Sequence, residues 1–298
     1  MRASWQCVSN TEGQGEREVH RGYLRKVCWA HAEFGQVVAS ASFDGFVCIW
    51  SEADAKEARG DGDSGDGGDV AMAGASTSGN GDGGSGGGGW RLASSFKASR
   101  SACLDLGFAP PQYGLRLALS FQDGAVKFFN ALDTFRCADW KLVQAFEMGS
   151  GSGTTEVCHK ICWRPFSQDM PEMILIGGSR QAAVLIFESD LDRWSQVAEL
   201  AAAEGPAPVS DVAWASACGK ANELVAFASG KAAYIAEVRD ALDHLEVTTV
   251  ARCEHGAAVF QVEWNRLGTT LATSAGDGSV RLWRPDLTNE WQEMAQIN

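Results

Sequence analysis

The sequence holds no uninterrupted apolar run of roughly 18 residues, the length a bilayer-crossing helix needs. It also shows no apolar N-terminal segment of signal-peptide type. A soluble protein is expected, with any membrane association made through partners. Tyr is scarce, three against eleven Trp, and His occurs only five times, which leaves few groups for acid–base chemistry. Positive charge is short as well: 25 Lys and Arg against 38 Asp and Glu give a formal net charge of −13. A surface that acidic repels phosphate backbones and argues against nucleic-acid binding. The nine Cys are odd in number and lack tight spacing. Cys28, Cys48, Cys103 and Cys162 sit in apolar, strand-like runs, so reduced, buried thiols of a cytosolic or nuclear protein are expected, not a disulfide framework.

What is present is a globular chain of 298 residues, 45% hydrophobic, read as a single domain over 1–298. Residues 53–89 break the pattern. They are mostly Gly, Ser, Ala and Asp, too poor in apolar surface to offset the entropy of ordering, and are read as a disordered loop inserted between the first two units. A formal G-x-G-x-x-G there (Gly79, Gly81, Gly84) has no strand before it and no helix after it, so it carries no phosphate-binding reading.

The remainder repeats. The run "WAHAEFGQVVASASFDGFVCIW" places aromatics at Trp29 and Trp50 around an Asp44-Gly45 corner. "FAPPQYGLRLALSFQDGAVKFF" repeats that spacing from Phe108 to Phe129 around Asp123-Gly124. Further units open at Trp163, Trp214 and Trp264, the last ending at Trp283 with Asp277-Gly278 at its corner. Trp5, Trp90, Trp140, Trp194 and Trp291 recur where an outer strand would begin. A period of about 50 residues with four short strands per unit predicts an all-β β-propeller of about five recognisable four-stranded blades. The Asp-Gly corners suit hairpin turns that need positive φ.

Two units carry a polar set in the same order: His20, Ser40, Asp44, Trp50 and His255, Thr273, Asp277, Trp283. This is the WD-repeat tetrad. The Asp is expected to accept from its turn and from His, His to donate to the hydroxyl, and the hydroxyl to reach the indole N–H. Such a network satisfies polar groups that would each cost roughly 1–3 kcal/mol if buried unpaired. A catalytic Ser/Thr–His–Asp triad is the alternative. It is disfavoured because the hydroxyl would be an internal link and because the set occurs twice at blade spacing. The Phe108 unit keeps Asp123 but has Leu119 in place of Ser, and the Trp163 and Trp214 units lack the corner Asp.

From Trp5 to Ile297, apart from 53–89, these blades resemble the Sec-type WD-repeat scaffold proteins, which include a secretory-vesicle coat subunit and its nuclear-pore homologue. "EFGQV", "FAPPQYGLRLALSFQDGAV" and "VEWNRLGTTLATSAGDGSVRLW" favour the pore homologue, the Seh-type nucleoporins. The resemblance implies a non-enzymatic scaffold without cofactor or metal: an open propeller of six blades, completed by a blade that a helical-solenoid nucleoporin donates in trans. It implies other subunits of the Y-shaped outer-ring complex as partners, a place at the nuclear envelope, and a shared role at the vacuolar or lysosomal surface in amino-acid signalling to growth control. The alternatives are a vesicle coat subunit with the same partner mode and a generic closed WD-repeat adaptor. The chain departs from the family at its front: Met1 to Arg25 read as the end of one blade and the entry to the next, and a misassigned chain start is favoured over a lost blade.

Other chemistry is weighed against this. In "CHKIC", a regular strand would put Cys158 and Cys162 on one face with His159 opposite, and no second Cys/His pair offers zinc spacing. Of the remaining His, His31 falls in a turn and His244 in a polar stretch. Asp61, Asp63, Asp66 and Asp69 form an acidic series without a rigid frame. An aromatic-cage ligand reading of the Trp residues yields to packing, because they recur at strand ends. Partner binding is assigned to the exposed edges of the terminal blades, with Trp291 and Ile297 as the candidate residues.

Overall fold

The computed structural model describes residues 20–52, 90–148, 157–165, 171–203, 205, 207–216, 222–241 and 244–297. The Gly-rich segment, its Gly and Asp residues, and Trp5 lie outside these. Among the described residues the chain forms five antiparallel sheets of four strands each, every sheet built from consecutive strands. The first blade holds β1 (Leu24–Trp29), β2 (Val37–Ser42), β3 (Phe46–Glu52) and β4 (Trp90–Lys97). The second holds β5 (Cys103–Phe108), β6 (Arg116–Phe121), β7 (Ala125–Ala131) and β8 (Trp140–Glu147). The third holds β9 (Cys158–Trp163), β10 (Met173–Gly178), β11 (Ala182–Glu188) and β12 (Arg193–Leu200). The fourth holds β13 (Val209–Trp214), β14 (Glu223–Ser229), β15 (Ala232–Ala241) and β16 (His244–Glu254). The fifth holds β17 (Val259–Trp264), β18 (Leu271–Ala275), β19 (Val280–Pro285) and β20 (Trp291–Ile297). Leu24 and Arg25 therefore belong to the first described blade. Segment 53–89 joins β3 to β4, so it falls inside that blade and not between two units.

The inner strands neighbour one another in the order β1, β5, β9, β13, β17, and no comparable contact among the described residues returns from β17 to β1. This is an open propeller. Its core consists of four apolar layers, one at each junction between successive blades. Alternation along each strand sends one set of side chains to the preceding blade and the other to the following blade.

Every inner strand carries a bulge at its second residue. The bulge reverses the parity of the strand. It corrects the reading of "CHKIC": Cys158 lies with Ile161 and Trp163 in the layer shared with the second blade, whereas Cys162 packs into the layer shared with the fourth. The two thiols face opposite ways. No metal-ligand cluster occurs among the described residues. The Cys residues described are all free; burial pushes Cys103, Cys158 and Cys253 up to about 12 and Cys162 up to about 11, which keeps them as thiols.

After the bulge, the third residue of each inner strand reads Lys26, Asp105, Lys160, Asp211, Gln261. Asp105 meets Lys26 of the preceding blade at 3.5 Å and accepts from the Ile161 N–H of the following blade at 3.1 Å. Asp211 repeats this with Lys160 at 3.5 Å and the Val262 N–H at 3.0 Å. Each carboxylate thus touches three blades. Farther from the axis, the second and third blades are joined by Arg116–Glu172 and the third and fourth by the buried pair Arg164–Glu223. Glu223 also accepts from Trp214 Nε1 at 2.9 Å. Burial pushes Glu172 up to about 7, against the pull of Arg116, and its Oε1 has no hydrogen-bond partner.

Two outcomes are expected. Asp105→Leu leaves a buried N–H unpaired and should cost about 1–3 kcal/mol, a fall of roughly 3–10 °C in Tm by calorimetry. Lys26→Met, at a side chain 43% exposed, should cost less than about 1 kcal/mol. The raised Glu172 pKa favours folding fully below its ordinary 4.5, and that contribution is lost as pH rises towards about 7. Glu172→Gln should therefore flatten the denaturation midpoint between those two values. An unchanged profile would mean that Arg116 keeps Glu172 ionised throughout.

Candidate interaction surfaces at the two ends of the propeller

The two tetrads form the same arrangement. Ser40 Oγ sits between His20 Nε2 at 2.8 Å and Trp50 Nε1 at 3.1 Å. Thr273 Oγ1 sits between His255 Nε2 at 2.8 Å and Trp283 Nε1 at 2.9 Å. Each hydroxyl receives two N–H donors and passes its own proton to a strand carbonyl, Cys48 or Arg281. The His–Asp bond expected from sequence does not form: His20 Nδ1 and His255 Nδ1 have no hydrogen-bond partner. Asp44 instead accepts from the backbone N–H groups of Arg21, Gly22 and Phe46 and from Ser42 Oγ. Asp277 accepts from the N–H and Oγ of Ser279. The carboxylates are consumed by chain turns before the imidazoles reach them.

The electrostatics agree. Burial lowers both imidazoles below their ordinary value, only partly countered by Asp44 and Asp277, so they are neutral donors at neutral pH. Burial pushes Asp44 up, but its four donors outweigh this and hold it below the usual range. Hydrogen bonds from Ser279 hold Asp277 low. A buried hydroxyl between two donors, beside an imidazole with no carboxylate behind it, is not a nucleophile. In the middle blades the register position of Ser40 is filled by Leu119, Ile176 and Phe227. Phe227 stacks on Tyr234 with centroids 4.9 Å apart. Apolar filling replaces the polar network there. Asp123 still holds its corner, accepting from the Ala125 N–H at 3.2 Å.

Among the described residues, the first and fifth blades each present a sheet face with no neighbouring blade on it. In four blades an aromatic at the end of the inner strand meets a Trp at the start of the outer strand: Trp29–Trp90, Phe108–Trp140, Trp163–Trp194 and Trp264–Trp291. This pair faces the preceding blade. Trp163 Nε1 donates to Gly107 O at 2.9 Å, and Trp264 Nε1 donates to Ala213 O at 3.3 Å. The first blade holds the same pair with no described blade before it: Val27 is 53% and Trp29 57% exposed, next to exposed Tyr23 and Leu24.

At the other end, strand register places Gln261, Glu263, Ala272, Ser274, Val280, Leu282, Ala295 and Ile297 on the outward face of the fifth blade. Ile297 is therefore on the open face. Trp291 is not: it packs with Trp264 in the layer shared with the fourth blade. The two residues have the same parity in sequence, and a bulge between them, opposite Leu282 and Trp283, puts them on opposite faces. Trp29 and Val27, with the half-buried Trp90 beside them, were missed as a surface. The signal that would have found them is the recurring inner-strand and outer-strand aromatic pair with one copy left unmatched. His31 accepts from the Glu33 N–H in a surface turn, and His244 begins β16.

Trp291→Ala should lower stability by about 1–3 kcal/mol in denaturant unfolding, because it strips a blade junction. Ile297→Lys should change stability by no more than about 0.5 kcal/mol. Equal effects would contradict the assignment of faces.

The family model described as "WD domain, G-beta repeat" matches residues 15–51 and 247–284, the two stretches that hold the tetrads. Protein SEH1 of Arabidopsis thaliana is 28% identical over 94% of this chain and 82% of its own length. Nucleoporin SEH1-A of Xenopus laevis is 28% identical over 97% of this chain and 75% of its own. Nucleoporin SEH1 of Homo sapiens is 28% identical over 97% of this chain and 74% of its own. The likeness runs through the middle blades, where no tetrad survives, as well as through the matched repeats. With two tetrads, five four-stranded blades in an open ring and similarity along nearly its whole length, the chain resembles the Seh-type WD-repeat nucleoporins.

Proposed function

We propose that this protein is a non-enzymatic scaffold subunit of the nuclear pore outer ring, and that a helical nucleoporin completes its propeller by placing β-structure between the open faces. The observation that carries this reading is that no described blade covers Val27 and Trp29, while the aromatics in the place of Trp29 in the second, third and fifth blades are packed on a neighbour. Burying each large apolar side chain there would contribute roughly 1.5–3 kcal/mol, so an occupied ring is favoured over an open one. The relatives named nucleoporins support the nuclear-pore location and pore partners. A second pool at the vacuolar or lysosomal surface, serving amino-acid signalling, belongs to the same proposal. The polar chemistry of the chain serves packing, in keeping with a scaffold.

The test is purification of the tagged protein from its own cells with mass spectrometry of what accompanies it. Helical outer-ring nucleoporins in the eluate are the expected result. Vesicle-coat subunits alone would move the protein to the secretory pathway. Absence of any helical scaffold partner would overturn the reading and leave a free-standing WD-repeat adaptor.

A further inference from the structure

We infer that the end of the propeller where the outer hairpins turn adsorbs to a zwitterionic lipid surface, entering it by Leu132, Phe135, Leu191 and Leu287. This goes beyond the scaffold reading and does not rest on it. It departs from the expectation that membranes are reached only through partners. That expectation followed from the lack of a spanning segment, and adsorption needs none.

The placement comes from the topology. The third residue of one inner strand meets the fourth of the next, and the sixth donates back to the fifth of the one before, so the inner strands run parallel. Each blade is built from consecutive antiparallel strands. The turns from third to fourth strand therefore all lie at one end of the axis. In the second, third and fourth blades, the exposed large apolar side chains among the described loop residues are Leu132, Phe135 and Leu191, all in these turns. Phe135 is 92% exposed. The fifth blade adds Leu287 in its own outer turn, fully exposed, and Leu267 in the turn from its first to its second strand, at the same end.

These turns are pinned with their apolar side chains outside. Among the described residues, the non-glycine residues with positive φ are Cys137 (53°), Asp192 (48°) and Asn289 (64°), one in each of the three turns. That region is disfavoured for any residue with a Cβ. Cys137 is buried in the layer shared with the first blade, and its carbonyl accepts from Trp140 Nε1 at 3.0 Å. The Asp133 carboxylate accepts from the N–H groups of Phe135 and Arg136 at 2.8 and 3.3 Å. Asp286 does the same for Thr288 and Glu290 at 2.8 and 3.0 Å. The Leu191 N–H donates to Glu188 O at 3.2 Å. A side chain presented on a fixed backbone loses little freedom when it is buried against something else.

The spacing selects the occupant. The tips belong to different blades, so one protein pocket cannot receive them together, whereas a planar apolar phase receives all of them at once. Charge selects the lipid. Acid and base stand together at each tip, Asp133 with Arg136, Asp192 with Arg193 and Asp286 with Arg284, and Asp190 and Glu290 leave acid in slight excess. Anionic headgroups would gain nothing from such a face, and a zwitterionic surface opposes it least.

The test is vesicle flotation of the full-length protein, with phosphatidylcholine vesicles and with a second set that also contains phosphatidylserine. Flotation with phosphatidylcholine alone is expected. Phe135→Ser should weaken it about threefold to tenfold. Adding Leu132→Ser, Leu191→Ser and Leu287→Ser should abolish it, with thermal melting unchanged at these exposed positions. Val250→Ser, an exposed apolar change on an outer strand, should float as the unaltered chain does. No flotation, flotation insensitive to the four tip changes, or flotation only with phosphatidylserine would each overturn the inference. So would flotation lost with Trp29→Ser but kept by the tip variants, which would assign adsorption to the open face of the first blade. A protein that leaves the eluate of the tagged chain with the tip variant, while the unaltered chain binds no vesicles, would overturn it in favour of a protein partner. Co-purifying outer-ring nucleoporins bear on the scaffold reading and leave this inference where the vesicles put it.

Discussion

Two carboxylates near the axis, Asp105 and Asp211, each touch three blades, and the order of the ring depends on them. A propeller blade is a sheet with two faces, and each of the three middle blades has both covered by apolar layers. Apolar layers supply most of the stabilisation but little sense of rotation or height between neighbours. A carboxylate that binds Lys on one side and a backbone N–H on the other fixes both. The alternation of Lys and Asp at that position lets two acids serve four junctions. It also avoids placing like charges side by side at the crowded centre.

Towards the periphery the blades solve one packing problem in two ways. Where Ser40 or Thr273 occupies the second strand, a His and a Trp must be supplied to use its hydroxyl. Where Leu119, Ile176 or Phe227 stands there, hydrocarbon and ring stacking fill the space. The polar solution survives in the first and last described blades. The middle blades, covered on both sides, use the apolar one. Hydrogen bonds are directional and hydrocarbon contacts are not, so the first and fifth described blades carry a geometry fixed by bonds within the blade.

The blades and tetrads were legible in the sequence because they depend on local periodicity: aromatics at strand ends, Asp-Gly corners, and hydroxyl residues at fixed offsets. What the sequence hid was parity. A single bulge separates Cys158 from Cys162, and another separates Trp291 from Ile297, and neither is marked by Gly or Pro. The missing His–Asp bond was hidden for another reason. Side-chain spacing allowed it, but backbone N–H groups reach Asp44 first, and they belong to residues with no distinguishing side chain. The order Lys, Asp, Lys, Asp, Gln was visible in principle, once the five inner strands were aligned at their closing aromatic.

β3 ends at Glu52 and β4 begins at Trp90, and these two residues, between which 53–89 run in sequence, are cross-strand partners. The ends of the insertion are held a strand's width apart by the sheet itself. With the ends of a connection fixed in this way, the closure entropy rises only slowly with length, by about 0.6 kcal/mol per doubling. The hairpin thus acts as a tether point at which sequence can be gained or lost over generations almost without a stability penalty, at a site beside the open face of the first blade.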